Sequence, residues 1–384
     1  MFGAGRGPLI AMDGSAGTPR PKLYALAIEL TAYCNQKCAY CYNAWRGDGG
    51  ASVSGGADAD ALMARIDRMI STFEIDHVTL TGGEPFAHKG IFDVLDRFRA
   101  ASIGIQMISN GGLIDDALAR RLAPYRLRFV QCTLNGIDAK SHGEHVGGEG
   151  HFDKTVEGIR ALVRNGVPVV GCVVVTRKNA RAVGEILALF RELGVRQIAL
   201  SRFSPAGYAT ESVAELLPSR DDMIAAFDAA LPFARAPRSE AIHVSCTMPI
   251  PPCAVEVEHY APIGFGTCAV GTSMQELALG PDGRLRNCTL HRSAIGDVDV
   301  LAEGLDLAAL VRAPAVTEYR KTLPSFCEGC LHAKTCGGGC GAAAEWVLGS
   351  RTLPDPFLWQ HVDDDFGARL EAARGGRRRL SIIA

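Results

Sequence analysis

The sequence predicts an α/β protein built on a parallel sheet and followed by a cysteine-rich C-terminal part. Two patterns carry that reading. Short apolar runs alternate with amphipathic helical segments from Leu23 to about Leu231, and cysteine, glycine and short strand-like pieces such as Glu276-Leu279 dominate from about residue 245 onward. Six strand-helix units can be counted, with strands at Leu23-Thr31, His77-Thr81, Ile103-Ile108, Phe129-Leu134, Val167-Val175 and Gln197-Phe203. Between them, apolar residues three and four apart, as in Leu62, Ile66, Met69, Ile70 and Phe73 or in Val183, Ile186, Leu187, Phe190 and Leu193, give each helix one face for the core. Asn165-Gly166 and Gly194 stop two helices, and Ser219 with Asp222 three residues on, just after Pro218, opens the last. Pro232, Pro237, Pro249, Pro251 and Pro252 then crowd a stretch without periodicity that reads as a linker. The part beyond it is expected to need metal to fold.

At 384 residues, one large enzyme domain plus a smaller one is the expectation. A net charge of -2 gives no electrostatic reason to expect nucleic acid, and Arg374, Arg377, Arg378 and Arg379 read as a solvated tail. No apolar run is long enough to span a bilayer, and Met1 to Lys22 lacks the apolar stretch of a signal peptide, so the cytoplasm is expected. That compartment keeps thiols reduced, which makes metal binding the first reading of thirteen cysteines. Cys132 and Cys172 sit in apolar strand-like runs and read as core residues.

Cys34-Asn35-Gln36-Lys37-Cys38-Ala39-Tyr40-Cys41 places three thiolates on one short loop after the first strand, at the carboxyl end of a parallel sheet, where active sites of such folds gather. Three thiolates can hold three irons of a four-iron, four-sulfur cluster and leave the fourth iron open to a substrate or cofactor. A structural zinc loop needs four ligands, and no fourth Cys or His follows nearby.

This spacing, with Tyr40 just before the third cysteine, resembles the radical S-adenosylmethionine (SAM) superfamily. Gly82-Gly83-Glu84-Pro85 after the second strand resembles the stretch that faces the SAM amino group in that family. Ser109-Asn110-Gly111 after the third resembles its ribose contacts, Thr133-Leu134-Asn135-Gly136 follows the fourth, and Thr176 with Asn179 follows the fifth. Each cluster leaves the same end of its own strand. The resemblance implies a partial (β/α)6 TIM-like barrel over residues 23–235, a catalytic 4Fe-4S cluster on Cys34, Cys38 and Cys41, and SAM held by Tyr40, Gly82, Gly83, Glu84, Pro85, Ser109, Asn110, Asn135 and Thr176. It also implies reductive cleavage of SAM to a 5′-deoxyadenosyl radical that abstracts a substrate hydrogen, with an external electron donor such as flavodoxin or ferredoxin. The chain departs from related peptide-modifying enzymes in having Thr133-Leu134-Asn135-Gly136 for Ser-Leu-Asp-Gly, and Val146 for an Arg that commonly meets the SAM carboxylate; His142 and His145 are the nearby polar candidates.

Downstream, Cys268-x14-Gly283-x4-Cys288 and Cys327-x2-Cys330-x5-Cys336-x3-Cys340 resemble the SPASM extension, which implies one or two auxiliary iron–sulfur clusters in residues 268–365. By that resemblance Cys268, Cys288 and Cys340 share one cluster with an upstream ligand, Cys253 first and Cys246 second, and Cys327, Cys330 and Cys336 share the other. A zinc ribbon on Cys327, Cys330, Cys336 and Cys340 is the alternative. The family's seventh cysteine, expected after an Asp-Pro pair, is replaced by Leu358 in Asp355-Pro356-Phe357-Leu358, which leaves an open iron or a ligand such as Asp355 or His361. The boundaries expected are a flexible segment 1–22, the barrel 23–235, a linker 236–267, the extension 268–365 and a tail 366–384.

The resemblance points to modification of a ribosomally made peptide, by cross-link or epimerisation. A separate peptide-recognition protein, or none, is expected, because about twenty residues before the first strand are too few for a fused one. The alternatives are radical oxidation or epimerisation of a small molecule, sulfatase maturation (where an Asp stands in place of Thr289), and a non-catalytic electron-transfer protein. No motif identifies a substrate acid, base or hydrogen donor; Glu144, Glu149, Arg202 and Tyr208 fall at barrel-mouth positions.

Overall fold

The computed structural model describes residues 20–44, 59–300, 307–319 and 322–361. Residues 1–19 of the expected N-terminal segment and the tail 366–384 lie outside the described residues.

Six parallel strands run in sequence order: β1 (Lys22–Glu29), β2 (Glu74–Thr81), β3 (Gly104–Ser109), β4 (Phe129–Thr133), β5 (Val169–Val175) and β6 (Gln197–Arg202). They coincide with the six expected runs to within a few residues. The helices between them are α1 (Ala59–Thr72), α2 (Ile91–Ala100), α3 (Asp116–Leu122), α4 (Ala139–Val146), α5 (Phe152–Arg164) and α6 (Val183–Glu192); α7 (Val213–Leu216) and α8 (Arg220–Arg235) follow β6. Helical periodicity turns into burial as expected: Leu62, Ile66 and Met69 of α1, and Val183, Ile186, Leu187 and Phe190 of α6, lie against the sheet. Each fully buried Leu, Ile or Phe contributes roughly 1.5–3 kcal/mol.

Side-chain caps fix the starts of α3, α4 and α8. Asp115 accepts from the Leu118 amide, while Asp138 with Ser141 and Ser219 with Asp222 form reciprocal capping boxes at α4 and α8. The helix α8 continues through Pro232 to Arg235, near the helix end, where the missing N–H costs one bond of its last turn.

The same sheet continues beyond β6. The segment 236–267 carries two short strands, β7 (His243–Cys246) parallel to β6 and β8 (Gly264–Phe265) parallel to β7. On the opposite side, β9 (Glu276–Leu279) pairs parallel with β1, and the Pro281-Asp282-Gly283 turn returns the chain as β10 (Arg284–Arg286), antiparallel to β9 and followed by β11 (Ala294–Asp297). The sheet order β11-β10-β9-β1-β2-β3-β4-β5-β6-β7-β8 leaves β11 and β8 as edges, so the strands form an open arc. Buried ion pairs join the C-terminal residues to each side of this arc: Glu29 at the end of β1 with Arg286 of β10, and Arg202 at the end of β6 with Asp355.

Candidate active site and auxiliary metal centre

The loop after β1 brings Cys34, Cys38 and Cys41 to the carboxyl end of the sheet, each half-buried. Its backbone is held from three directions. Gly83 and Glu84 donate their amides to the carbonyls of Thr31 (2.6 Å) and Tyr33 (2.8 Å). From the last turn of α4, the Val146 and His145 carbonyls accept from Lys37 (3.0 Å) and Ala39 (2.9 Å), and the Ala209 amide donates to the Cys41 carbonyl at 2.8 Å. The α4 contacts have no motif behind them; they follow from carbonyls left without partners at a helix end, which seek donors. Gly83 is required by contact: a Cβ there would sit 1.9 Å from the Tyr33 oxygen.

Glu84 is fully buried. Its Oε1 accepts from Ser109 Oγ (2.8 Å) and from the Phe86 amide (3.1 Å), and its Oε2 accepts from the Asn110 amide (2.8 Å). Loss of hydration pushes this carboxyl up to about 7, against the pull of those three donors. Glu84 therefore links the loops after β2 and β3, and Pro85 starts the 3-10 turn that it caps. Asn110 carries the link to the cysteine loop, since its Nδ2 donates to Asn35 Oδ1 at 2.7 Å and approaches Cys34 Sγ at 3.7 Å. The Tyr40 phenol lies buried beside the Cys38 thiol, and burial raises it well above its ordinary value.

Beyond β4 and β5, Asn135, His142, His145, Thr176 and Asn179 form one buried polar group. Asn135 Oδ1 accepts from the Val174 amide (2.8 Å), and the Asn135 amide donates to His142 Nδ1 (3.2 Å). That bond puts the His142 proton on Nε2. Burial depresses this imidazole to about 4, so it is neutral. His145 donates Nδ1 to the Ser141 carbonyl (3.0 Å), leaving Nε2 as the acceptor facing Thr176 Oγ1 at 3.0 Å. Three buried donors, His142 Nε2, Asn135 Nδ2 and Gln36 Nε2, have no partner among the described residues. Donors in that state call for a ligand rich in acceptors.

Of the other barrel-mouth residues, Arg202 is a structural residue, fully buried in its pair with Asp355, whereas Glu144 and Glu149 are exposed and Tyr208 is 40 % exposed. Val146 is buried and contributes its carbonyl to the cysteine loop.

The C-terminal thiols fall into two neighbourhoods. Cys268 and Tyr319 line one cavity; burial and the Cys288, Cys340 and Cys268 thiols together hold the Tyr319 phenol neutral, and Cys288 is raised by burial and by Cys340 and Cys268. Cys327, Cys330 and Cys336 line a separate cavity of about 170 Å³. Cys253, expected with the first group, lines this second cavity instead, because the turn Pro251–Ala254 between β7 and β8 delivers it there. Cys246 is buried with its thiol donating to the Met248 carbonyl at 3.4 Å. Gly337, Gly338 and Gly339, all with φ between +69° and +89°, turn the chain between Cys336 and Cys340 and so send these two thiols into different groups. Among the described residues no three Cys, His, Asp or Glu side chains converge on a position for a single metal ion.

The chemistry of these donor sets, thiols in threes and fours beside unpartnered buried donors, fits iron–sulfur clusters and a polar cofactor. Comparisons with known proteins agree. Residues 28–201 match the model of the radical SAM superfamily. The chain is 26 % identical over 345 residues to the mycofactocin maturase MftC of Mycobacterium tuberculosis (strain CDC 1551 / Oshkosh), covering 86 % of this chain and 81 % of that one. It is 24 % identical over 367 residues to the PqqA peptide cyclase of Methylocella silvestris, covering 94 % and 93 %. The crystal structure of Streptococcus suis SuiB bound to precursor peptide SuiA shares the fold at a TM-score of 0.64 and 16 % identity, over 88 % of this chain and 75 % of that one. Residues 28–201 are thus a radical SAM domain, and that family implies SAM and a 4Fe-4S cluster.

Proposed function

We propose that this enzyme modifies a ribosomally made peptide by radical chemistry, forming a cross-link or inverting a residue. The observation that carries the reading is the similarity over nearly the whole chain to a maturase and to an enzyme named for its peptide substrate. Cys34, Cys38 and Cys41 would hold the catalytic cluster. Gly82, Gly83, Glu84 and Pro85 would meet the SAM amino group, Ser109 and Asn110 the ribose, and Tyr40 the adenosine, with Asn135 and Thr176 completing the wall. In place of the arginine that Val146 replaces, His142 Nε2 and Asn135 Nδ2 would donate to the SAM carboxylate. When bound, this cofactor pair supplies a 5′-deoxyadenosyl radical that takes a hydrogen from the substrate. The protein's part is to present the amino group to the Glu84 carboxylate, to satisfy its own buried donors on the carboxylate, and to exclude water through the packed loops after β1 to β5.

An oxidoreductase outcome, an external donor such as flavodoxin or ferredoxin, a separate peptide-recognition protein, two auxiliary clusters in residues 268–365, and a place in the reducing cytoplasm complete the proposal. Among the described residues no helix is long and apolar enough to cross a membrane. The test is anaerobic incubation of the reconstituted enzyme with SAM, a strong reductant and a short peptide encoded beside its gene. Release of 5′-deoxyadenosine with a changed peptide mass is expected. Deoxyadenosine released only with a sugar or aminocyclitol substrate would favour small-molecule oxidation instead, and no deoxyadenosine with either would leave a non-catalytic protein.

A further inference from the structure

We infer that Cys253 is the fourth thiolate ligand of the second auxiliary cluster, completing the set Cys327, Cys330 and Cys336 in place of the seventh cysteine that the C-terminal segment lacks. This rests on the reading above that the C-terminal region holds two auxiliary clusters.

Three observations converge on it. Cys253, Cys327, Cys330 and Cys336 line one cavity of about 170 Å³, large enough for a polynuclear cluster. Leu358, which stands where the resemblance calls for a cysteine, lines the same cavity, so the wall that lacks a thiol and the thiol that replaces it share one space. The two other ligand candidates are occupied. Asp355 accepts from Arg202 Nη2 (2.5 Å) and the Cys340 amide (2.7 Å) through Oδ2, and from Arg202 Nη1 (3.3 Å) and the Phe357 amide (2.9 Å) through Oδ1, which exhausts its acceptor sites. His361 accepts from the Arg220 amide at 3.0 Å through Nε2. On cluster insertion each thiol would release its proton to solvent as its sulfur binds iron.

The experiment measures iron, acid-labile sulfide and zinc per chain, with electron paramagnetic resonance of the reduced protein, on anaerobically reconstituted full-length variants. Wild type is expected to hold about twelve irons, from three four-iron clusters. Cys253→Ala should lose between one and four irons and alter one auxiliary signal while leaving the catalytic cluster signal in place. Cys253→Ala combined with Leu358→Cys should regain the iron. In a Cys327→Ala, Cys330→Ala background, which already lacks the second cluster, adding Cys253→Ala should remove nothing further. The inference is overturned if Cys253→Ala keeps full iron and wild-type signals, or if it costs about four more irons in that background, which would make Cys253 a ligand of another cluster. About eight irons in wild type, or zinc on the four thiols, would defeat the two-cluster reading itself, a result distinguishable from either of those.

Discussion

The two cysteine regions are organised by opposite means. The first loop takes its shape from the sheet: β1 delivers it, the amides after β2 and the carbonyls ending α4 bind its backbone, and the Glu84–Ser109–Asn110 network reaches Asn35 beside Cys34. The C-terminal region has little regular structure of its own and takes its shape from left-handed glycines such as Gly337, Gly338 and Gly339, short helical turns and two buried ion pairs to the ends of β1 and β6. A loop on a parallel sheet is pre-organised before any metal arrives, whereas a region of that composition needs either its clusters or its anchors. The difference separates residues whose loss removes chemistry from residues whose loss removes structure.

The sharpest break is Cys34→Ala, Cys38→Ala, Cys41→Ala. Deoxyadenosine formation should vanish and iron fall by about four, with auxiliary signals retained; measurable deoxyadenosine from that variant would sink the radical reading. Next comes the C-terminal anchor. Arg202→Leu leaves Asp355 buried and unpaired, at a cost of about 3–5 kcal/mol, and should lower the unfolding midpoint and open residues 322–361 to proteolysis. Replacing both partners, Arg202→Met with Asp355→Leu, should recover most of that loss, and no recovery would show that the Asp355 bonds to the Cys340 and Phe357 amides matter more than the ion pair.

Gly83→Ala tests the anchoring of the first loop. Its Cβ must push away the Tyr33 carbonyl, so the cysteine loop shifts by up to about 1 Å, and deoxyadenosine formation should fall on the order of 10²-fold with little change in the unfolding midpoint. A wild-type rate would show the loop is free to move.

The smallest effect is a pH profile. The Glu84 carboxyl is raised to about 7 from an ordinary 4.5, so the stability from its neutral form is fully present below 4.5 and is lost as pH rises through about 7. SAM, with an ammonium group against the ionised form, should bind more tightly as pH rises through the same range. Glu84→Gln should flatten both profiles, and a flat wild-type calorimetric affinity between pH 6 and about 8 would separate Glu84 from the amino group.

Periodicity made all six barrel strands and their helices legible, because burial of one helix face and of whole parallel strands writes itself into spacing. The three-thiol loop was legible because chemistry fixes its residue types at short range. β7 and β8 were not: strands of four and two residues in a proline-rich stretch are too short for a pattern, and pairing alone defines them. Arg202 read as a mouth residue, since charge in a sequence carries no sign of a partner 153 positions away.

The sequence by itself determined the reaction class and the number of thiols available, since both rest on local spacing. Tertiary structure alone decided how those thiols are grouped. Cys253 is 15 residues from Cys268 and 74 from Cys327, as the difference of their numbers gives, yet it lines the cavity of the more distant one. The path of the chain from β7 to β8 and the glycine turn after Cys336 set which sulfurs share a space, and neither is encoded in the distance between cysteines along the chain.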